Sequence, residues 1–494
     1  MRVDHLSIYQ HRPFTSSSPS TMSPPQPAKH LINLIRGWPS PSLHPTALLS
    51  SAAQTILSNP ETSVPALQYG PDHGYFPLRE ALATWLTKHY HGSDSKIQPD
   101  AERICITGGA SQNLANILAS FTDPVVTRRI WMVAPCYHLA CNIFEDAGFQ
   151  GRLRAIPEDE DGIDVDILEK KISALEKEEH DSKPELKPFK DPGPNRKHYK
   201  HIIYLVATCA NPSGKTLPLH RREALVKLAR RHNALLISDD VYDFLQWPIT
   251  SPSAPSTTLT LGDSRIPRLP RLSDIDRSIG LPSTGDARFG YAISNGSFSK
   301  VAGPGVRTGW VEGSPAFSNG LSQTGATRSG GAPSQLCAAM MSELVASGAL
   351  SEFLENTTRP ALQHRHALMM AAIEKYISPI ANVKIQNTSL GEADIYGGYF
   401  VWFSLPEGYS AKEVADRALK EENLVVAHGN MFEVRGDEAS AGFGSEVRLC
   451  FSWEEEKDIE EGVRRLGDVL KRIKNGEASS VEGSGFSENA GVFV

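Results

Sequence analysis

The chain has 494 residues, of which 40% are hydrophobic and 22% are charged, and its formal net charge is -7. This length exceeds what one simple core fills, so we predict two or more globular domains. The acidic balance argues against nucleic-acid binding, because a protein that binds phosphate backbones needs a basic surplus on one face. No apolar run reaches the roughly 18 to 20 residues needed to cross a bilayer, and we expect no membrane partner.

The six cysteines are scattered and show no Cys-x-x-Cys spacing, which argues against a zinc site or a redox pair. We therefore expect no metal, a reducing compartment and a cytoplasmic location. Arg2 and Arg12 within a Ser-rich start leave mitochondrial targeting as a weaker alternative.

Composition divides the chain into segments. Both ends are poor in apolar residues and are predicted to be disordered, at 1–29 and at 474–494. Between them we predict an N-terminal arm that is part of a small domain (30–64), a large domain (65–345) and the rest of a small α+β domain (346–473). Two stretches inside the large domain, near 170–200 and 248–290, have little apolar periodicity and are predicted to be surface insertions.

From about residue 100 to 315, apolar strand patterns alternate with helix patterns. Arg103–Thr107 is followed by a helix after two glycines, and the pattern repeats after the apolar runs at 130–133, 202–206 and 234–238. Strands that are apolar without interruption are typical of a parallel sheet covered by helices on both faces. The sequence therefore predicts an α/β domain with a mostly parallel central sheet.

In such a sheet, ligands bind at the carboxyl ends of the strands, so the polar residues there are the candidates for a site. Gly109, Ala110 and Ser111 open a helix directly after a strand, which suits an anion site, although Ser111 as a plain helix cap is an alternative. Asn211 begins an Asn-Pro-x-Gly sequence that is also a common turn. Tyr137 follows the predicted strand at 130–133, and the alternative interpretation is that it is an ordinary core tyrosine.

The most informative segment is Ser297–Trp310, which places Ser297, Ser299, Lys300 and Arg307 on one short glycine-rich turn. A lysine that forms a Schiff base must lose its proton, whereas a phosphate needs a permanent fork of donors. The two hydroxyls and the arginine can supply those donors. An ordinary basic loop is the alternative for this segment taken alone.

This segment resembles the lysine signature of the class I/II (fold type I) aminotransferases, which use pyridoxal 5'-phosphate (PLP). The resemblance covers about residues 30–472 and is closest to fungal members of the 2-aminoadipate and aromatic aminotransferase group, judged by Gln68-Tyr69-Gly70 and by Ser238 to Asp243. It implies a large PLP-binding domain, a smaller α+β domain and a homodimer with shared active sites.

The resemblance also implies roles for single residues. Lys300 would hold PLP and act as the base, and Asp239 would face the ring nitrogen, with the adjacent Asp240 expected to point to solvent or to a cap. Tyr242 and Asn211 would donate to the phenolic oxygen, and Tyr137 would stack on the ring. The phosphate would be held by Gly109, Ala110, Ser111, Ser297, Ser299, Arg307 and a Tyr69 from the neighbouring subunit.

For the substrate, the resemblance implies that Arg448 grips the α-carboxylate and that Gly37 lines the mouth of the site. The implied activity is transfer of an amino group from 2-aminoadipate, an aromatic amino acid or a similar substrate to a 2-oxo acid such as 2-oxoglutarate. A PLP-dependent C–S or β-eliminating lyase is an alternative on the same fold. A PLP-binding regulator without catalytic activity is a further alternative, although residues 1–29 are too short for a DNA-binding module. The chain departs from the family pattern at Ala302 and His428.

Overall fold

The structure is a computed structural model that describes residues 29–92, 95–181, 187–249, 269–328, 333–385, 388–390 and 393–478. The disorder expected for 1–29 and 474–494 therefore falls almost entirely outside the described residues, as does the part 250–268 of the second predicted insertion. Within the described residues, the strands are β1 (Ile32–Asn33), β2 (Ile104–Thr107), β3 (Arg129–Ala134), β4 (Leu153–Asp159), β5 (Gly162–Ile163), β6 (His201–Leu205), β7 (Ala234–Asp239), β8 (Gln246–Pro248), β9 (Ala292–Ser297), β10 (Gly309–Glu312), β11 (Lys384–Ile385), β12 (Thr388–Leu390), β13 (Ala393–Gly397), β14 (Phe400–Ser404), β15 (Leu424–Val425), β16 (Ala427–His428) and β17 (Glu446–Cys450).

The α-helices of the same residues are α1 (Thr46–Ser58), α2 (Pro60–Leu67), α3 (Phe76–His91), α4 (Ala110–Phe121), α5 (Leu139–Phe144), α6 (Val165–Asp181), α7 (Leu219–Arg231), α8 (Leu272–Ile279), α9 (Pro315–Ser322), α10 (Gln335–Ala346), α11 (Ala349–Phe353), α12 (Arg359–Tyr376), α13 (Ala411–Glu422) and α14 (Glu456–Lys474).

The central sheet confirms the predicted α/β architecture. Its strand order is β2-β10-β9-β7-β6-β3-β4-β5. Strands β4, β3, β6, β7 and β9 run parallel, whereas β10 is antiparallel to both of its neighbours and β5 is antiparallel to β4. All five residues of β6 and all six of β7 are buried, because helices cover both faces. The carboxyl ends of β3, β6, β7 and β9 consequently meet at one edge of the sheet.

A second sheet, with the order β11-β14-β17-β16, forms the smaller α+β unit together with α12, α13 and α14. The N-terminal strand β1 pairs in parallel with β15, so the start of the described chain belongs to this unit. Immediately after β1, Leu34 N donates to Val425 O and Leu34 O accepts from Cys450 N at 2.7 Å. These bonds carry residues 34–38 across the carboxyl edge of the central sheet.

The two predicted insertions are less irregular than expected. Helix α6 occupies the start of the 170–200 stretch. Helix α8 lies within 248–290, and its Leu272 is fully buried against the core beside α7. The sequence misled here because charged residues dominate α6, while in α8 a buried Arg271–Asp274 ion pair interrupts the apolar pattern. Those parts are packed elements of the domain and not surface excursions.

Within the described residues, every single helix falls short of the length and apolar character that a membrane span requires. One bent pair, Gln335–Ala346 with Ala349–Tyr376, meets the criteria of length and composition when its two parts are taken together. The first of these helices packs against α3.

Candidate active site

A cavity of about 210 Å³ opens at the carboxyl edge of the central sheet, where the segment 34–38 crosses it. It is lined by side chains from both sheets and from the loops that follow β3, β6, β7 and β9. The candidate site residues that line it are Gly37, Ala110, Ser111, Tyr137, Asn211, Asp239, Tyr242, Ser297, Ser299, Lys300, Arg307 and Arg448. Residues as far apart in the sequence as Gly37 and Arg448 thus share one cavity.

Lys300 lies in the short helical turn that follows β9. Its Nζ donates to the carbonyl oxygen of Gly37 at 2.7 Å, and its own carbonyl accepts from the hydroxyl of Tyr399 at 2.9 Å. Burial lowers the pKa of Lys300 to about 8, while Cys450 and Asp239 oppose that shift. A buried amine held by one carbonyl is far easier to deprotonate than a lysine in water, which suits a nucleophile or base.

Asp239 ends β7 and is the acid of the cavity. Its Oδ2 accepts from the hydroxyl of Tyr204 at 2.8 Å, and its Oδ1 lies 3.4 Å from Nδ2 of Asn295. Burial raises the pKa of Asp239 to about 6, although the Tyr204 hydrogen bond and the charge of Lys300 act against this rise. A carboxyl that is desolvated in this way gains from a cationic partner such as a protonated ring nitrogen.

Asp240 corrects one expectation, because it points neither to solvent nor to a helix cap. It is 4% exposed, and its Oδ1 accepts from the hydroxyl of Ser238. Burial and the nearby Asp243 raise its pKa well above the usual range. The side chain is directed away from the cavity into the interior, which leaves Asp239 as the carboxylate that lines the site.

One end of the cavity is built to receive an anion. Gly109 caps α4 with φ at 104°, so the first N–H groups of the helix open toward the cavity where Ala110 and Ser111 lie. Ser297 Oγ donates to Ser299 Oγ at 2.9 Å, and Arg307 reaches the same end, where its Nη2 donates to Gly108 O at 2.7 Å. These hydroxyl, backbone and guanidinium donors are the set that a phosphate monoester requires.

The opposite end holds Arg448, which lies in the buried strand β17. Its Nη1 donates to Oδ1 of Asn211 at 2.8 Å and its Nη2 donates to the carbonyl of Ile35. Its Cζ lies 4.0 Å from the ring centre of Phe400, and its Nε is buried without a hydrogen-bond partner. Burial lowers the pKa of Arg448 to about 10. An arginine with unused donors inside a cavity can bind a carboxylate.

Aromatic side chains form the walls between the two ends. Tyr137 lines the cavity, and burial raises its pKa to about 12 although a hydrogen bond with Ser111 acts the other way. Tyr242 is 3% exposed, and Lys300 Nζ lies 6.0 Å from its ring centre. Burial also raises the pKa of Tyr242 well above its usual range, so that it remains a hydrogen-bond donor.

Two of the predicted residues are not among those that line the cavity. Gly109 lies directly behind Arg307, and a Cβ added to it would be 2.9 Å from Nη2 of that arginine. Tyr69 follows α2 and is 88% exposed, outside the site of its own chain.

Several residues of the site were missed by the sequence reasoning. Tyr204 and Asn295 hold Asp239, Tyr399 holds the backbone of Lys300, and Phe400 and Trp38 complete the walls. A signal existed for Tyr204 and Asn295, which are polar residues inside fully buried strands. Tyr399 and Phe400 had no such signal, because aromatic residues at a strand start are usually core.

The arrangement fits the cofactor that the resemblance implies. The cavity has hydroxyl, backbone and guanidinium donors at one end, a desolvated lysine, a buried carboxylate and an aromatic wall. At the other end, the buried Nε of Arg448 has no hydrogen-bond partner among the described residues. PLP would be held by Lys300, Asp239, Tyr137, Asn211, Tyr242 and the anion end formed by Gly109, Ala110, Ser111, Ser297, Ser299 and Arg307. Among the described residues, no group of three or more histidine, cysteine or acidic residues could hold a metal ion.

Comparisons with known proteins agree with this geometry. A family model described as aminotransferase class I and II matches residues 40–466. An uncharacterized protein of Saccharomyces cerevisiae is 36% identical over 89% of this chain and 97% of its own length. An aromatic-amino-acid aminotransferase of Thermococcus litoralis is 27% identical, over 89% of this chain and 88% of its own. The crystal structure of an α-aminoadipate aminotransferase from Thermus thermophilus, complexed with N-(5'-phosphopyridoxyl)-L-leucine, has a TM-score of 0.66 and 28% identity, and the match covers 90% of this chain and 92% of that one.

Proposed function

This chain belongs to the class I and II aminotransferases and is a PLP-dependent transaminase that acts on amino and 2-oxo acids, and from this premise we propose its substrates, the roles of its site residues, its assembly and its location. The proposed reaction moves an amino group from 2-aminoadipate, an aromatic amino acid or a similar substrate to 2-oxoglutarate. The observation that carries the proposal is the single cavity that contains Lys300, Asp239 and Arg448. Relatives named for 2-aminoadipate and for aromatic amino acids support this choice of donors.

The substrate is oriented from the Arg448 end of the cavity. The guanidinium is held by Asn211 and by the carbonyl of Ile35, so its remaining donors are fixed in direction before a ligand arrives. In our proposal these donors bind the α-carboxylate, while the walls formed by Tyr137 and Phe400 exclude water. When bound, PLP supplies an electron-poor ring that accepts the electron pair left at the substrate α-carbon.

Lys300 is the proposed proton carrier. Its lowered pKa allows Nζ to exist without a proton near neutral pH, and in this state it can accept the proton of the substrate α-carbon. With PLP bound, the same Nζ would then give that proton to the cofactor carbon joined to the amino nitrogen, so one group serves first as base and then as acid. Asp239 stays ionised beside a cationic partner, and Asn211 and Tyr242 are the proposed donors to the cofactor's phenolic oxygen.

The assembly that we propose is a homodimer with Tyr69 reaching the phosphate end of the neighbouring site. Large apolar side chains are exposed along and just after α1 and α2, at Leu57, Val64, Leu67, Tyr69 and Phe76. An exposed apolar face of this extent is typical of a surface that is covered by another chain. We also propose a cytoplasmic location, which fluorescence of a tagged full-length chain in living cells would test.

The decisive experiment is a panel of amino acids added singly to the PLP-loaded protein. For a true donor we expect full conversion of the cofactor to its amine form, and 2-oxoglutarate should restore the original absorbance. Release of ammonia while PLP stays unchanged would instead support the lyase alternative. The Lys300→Ala variant is the control: it should lose the absorbance of the lysine-bound cofactor and slow the conversion by about 10²- to 10⁴-fold.

A further inference from the structure

Arg36 lies between two backbone carbonyls that bind the proposed catalytic groups. Ile35 O accepts from Arg448 and Gly37 O accepts from Lys300. The neighbouring Trp38 lines the cavity and is 43% exposed, so this segment forms part of the entrance. Arg36 itself is half-buried and does not line the cavity, but its guanidinium packs against the ring of Trp38, which does.

Within the part of the chain that the structure describes, the guanidinium of Arg36 forms no ion pair. Among the described residues, its contacts are with two indole rings: Cζ lies 4.6 Å from the ring centre of Trp38 and 5.1 Å from that of Trp453. Its Nε is buried without a hydrogen-bond partner. Glu454 feels the charge of Arg36, but its carboxylate accepts from the backbone N–H of Asn33 at 2.6 Å. A guanidinium that packs against two aromatic rings keeps its terminal N–H donors in a fixed direction.

The positive charge in and beside the cavity favours a substrate with an acidic side chain. The cavity is lined by three cationic side chains, Lys300, Arg307 and Arg448, against one acid, Asp239. Arg36, which packs against the cavity-lining Trp38, adds a further positive charge beside this set. The Arg36 guanidinium already covers one face of the Trp38 ring and one face of the Trp453 ring. An aromatic side chain of a substrate cannot stack on those two faces.

We infer that Arg36 is a specificity-determining residue that binds the second carboxylate of dicarboxylic amino acids and 2-oxo acids, while Arg448 binds the first. This inference rests on the proposed function, because it takes Arg448 as the α-carboxylate site. The bond would be a charge-assisted fork from the guanidinium to the distal carboxylate, with no covalent step. Substrates such as 2-aminoadipate and glutamate would then be preferred over aromatic and aliphatic amino acids.

Binding of unreactive acids to the PLP-loaded protein tests this inference without turnover. Calorimetry with adipate and with hexanoate compares two ligands of equal chain length that differ in one carboxylate. The wild-type protein should bind adipate more tightly, and Arg36→Met, which keeps the stem between the two rings, should lose about ten- to a hundredfold in affinity for adipate only. Arg231→Met, which removes an exposed arginine paired with Glu169, is the matched control and should change neither affinity.

Half-reactions provide the second measurement, since a single amino acid converts the cofactor without any 2-oxo acid. Arg36→Met should lower kcat/KM for 2-aminoadipate by the same factor and leave phenylalanine unchanged, with partial rescue in Arg36→Lys. Equal losses for both amino acids, or equal wild-type affinities for adipate and hexanoate, would overturn the inference. If none of the amino acids tested converts the cofactor to its amine form, the proposed function is refuted instead. The two failures can therefore be distinguished.

Discussion

At the scale of single residues, the site depends on burial that shifts proton affinities toward neutral pH. Lys300 and Asp239 sit in one cavity, and burial lowers the pKa of the lysine to about 8 and raises that of the acid to about 6. Desolvation disfavours the charged form of each group, and their mutual attraction limits both shifts. Each of the two groups can therefore gain or lose a proton near neutral pH.

The pH dependence of PLP uptake tests the state of Lys300. Only the unprotonated amine reacts, so the rate at which the apoprotein gains the absorbance of the lysine-bound cofactor should rise about tenfold per pH unit below about 8 and level off above it. Replacement of Asp239 by Asn removes a charge that raises the lysine pKa, so the midpoint should move to lower pH. A rate that still rises at pH 10 would mean that the lysine is not desolvated.

Arg448 allows a prediction about substrate binding. Replacement by Lys keeps a positive charge but loses the planar fork that Asn211 and Ile35 orient. We expect KM for the amino acid to rise by about ten- to a hundredfold while the cofactor spectrum stays unchanged, because Arg448 lies away from the anion end. Steady-state kinetics on the loaded enzyme would measure this. A lower PLP affinity with KM unchanged would contradict the assignment.

At the scale of elements, the start of α4 combines a strand end, a left-handed glycine and a helix N-terminus. Gly109 adopts a φ of 104°, which other residues rarely adopt, and this brings the N–H groups of the first turn to face the cavity. Arg307 packs over the same glycine. Side-chain bulk at this position would interfere with the backbone and with the guanidinium together.

Gly109→Ala is the test of this element. Strain of roughly 1 to 2 kcal/mol and contact with Arg307 should raise the dissociation constant of PLP by about tenfold or more. Gly151→Ala is a matched control, because its φ is 74° and nothing lies within 4 Å of the added Cβ. Equilibrium titration with PLP should separate the two variants, whereas their melting temperatures should fall by similar amounts. Equal PLP affinity in both would contradict the role of Gly109.

At the scale of the whole molecule, Tyr69, which is predicted to contact the phosphate, does not line the cavity of its own chain. Tyr69 is 88% exposed and follows an exposed apolar surface on α1 and α2 that includes Leu57, Val64 and Leu67. A homodimer would cover this surface and give Tyr69 a phosphate to contact.

Leu67→Glu places a charge in the middle of that surface. Burying it would be unfavourable, so we expect the variant to be monomeric by light scattering after gel filtration, with activity reduced and secondary structure unchanged. The wild-type protein should have twice the mass of one chain. Leu219→Glu, at an exposed leucine of α7 on the large domain, should remain dimeric. A monomeric wild type would refute the proposed assembly.

Local patterns in the sequence were enough to predict the α/β class and most of the site. Unbroken apolar strands such as His201–Leu205 indicated a parallel sheet, and such a sheet places polar residues at its strand ends beside one another. The lysine turn was informative because it places glycine, hydroxyl and arginine residues within a few positions of Lys300, whereas Arg448 was indicated by the family resemblance. Helix α6 was missed because charged residues dominate it, and α8 was missed because the buried Arg271–Asp274 ion pair interrupts its apolar pattern.

Only the tertiary structure decided what surrounds these residues. That Tyr204 and Asn295 hold Asp239, that Asp240 turns inward, and that Arg36 lies between two indole rings all depend on contacts between distant parts of the chain. Such contacts set burial, and burial sets the proton affinity of Lys300 and the free donors of Arg448. The sequence by itself determined which chemical groups are present, and packing decided how strongly each group is desolvated and which way it points.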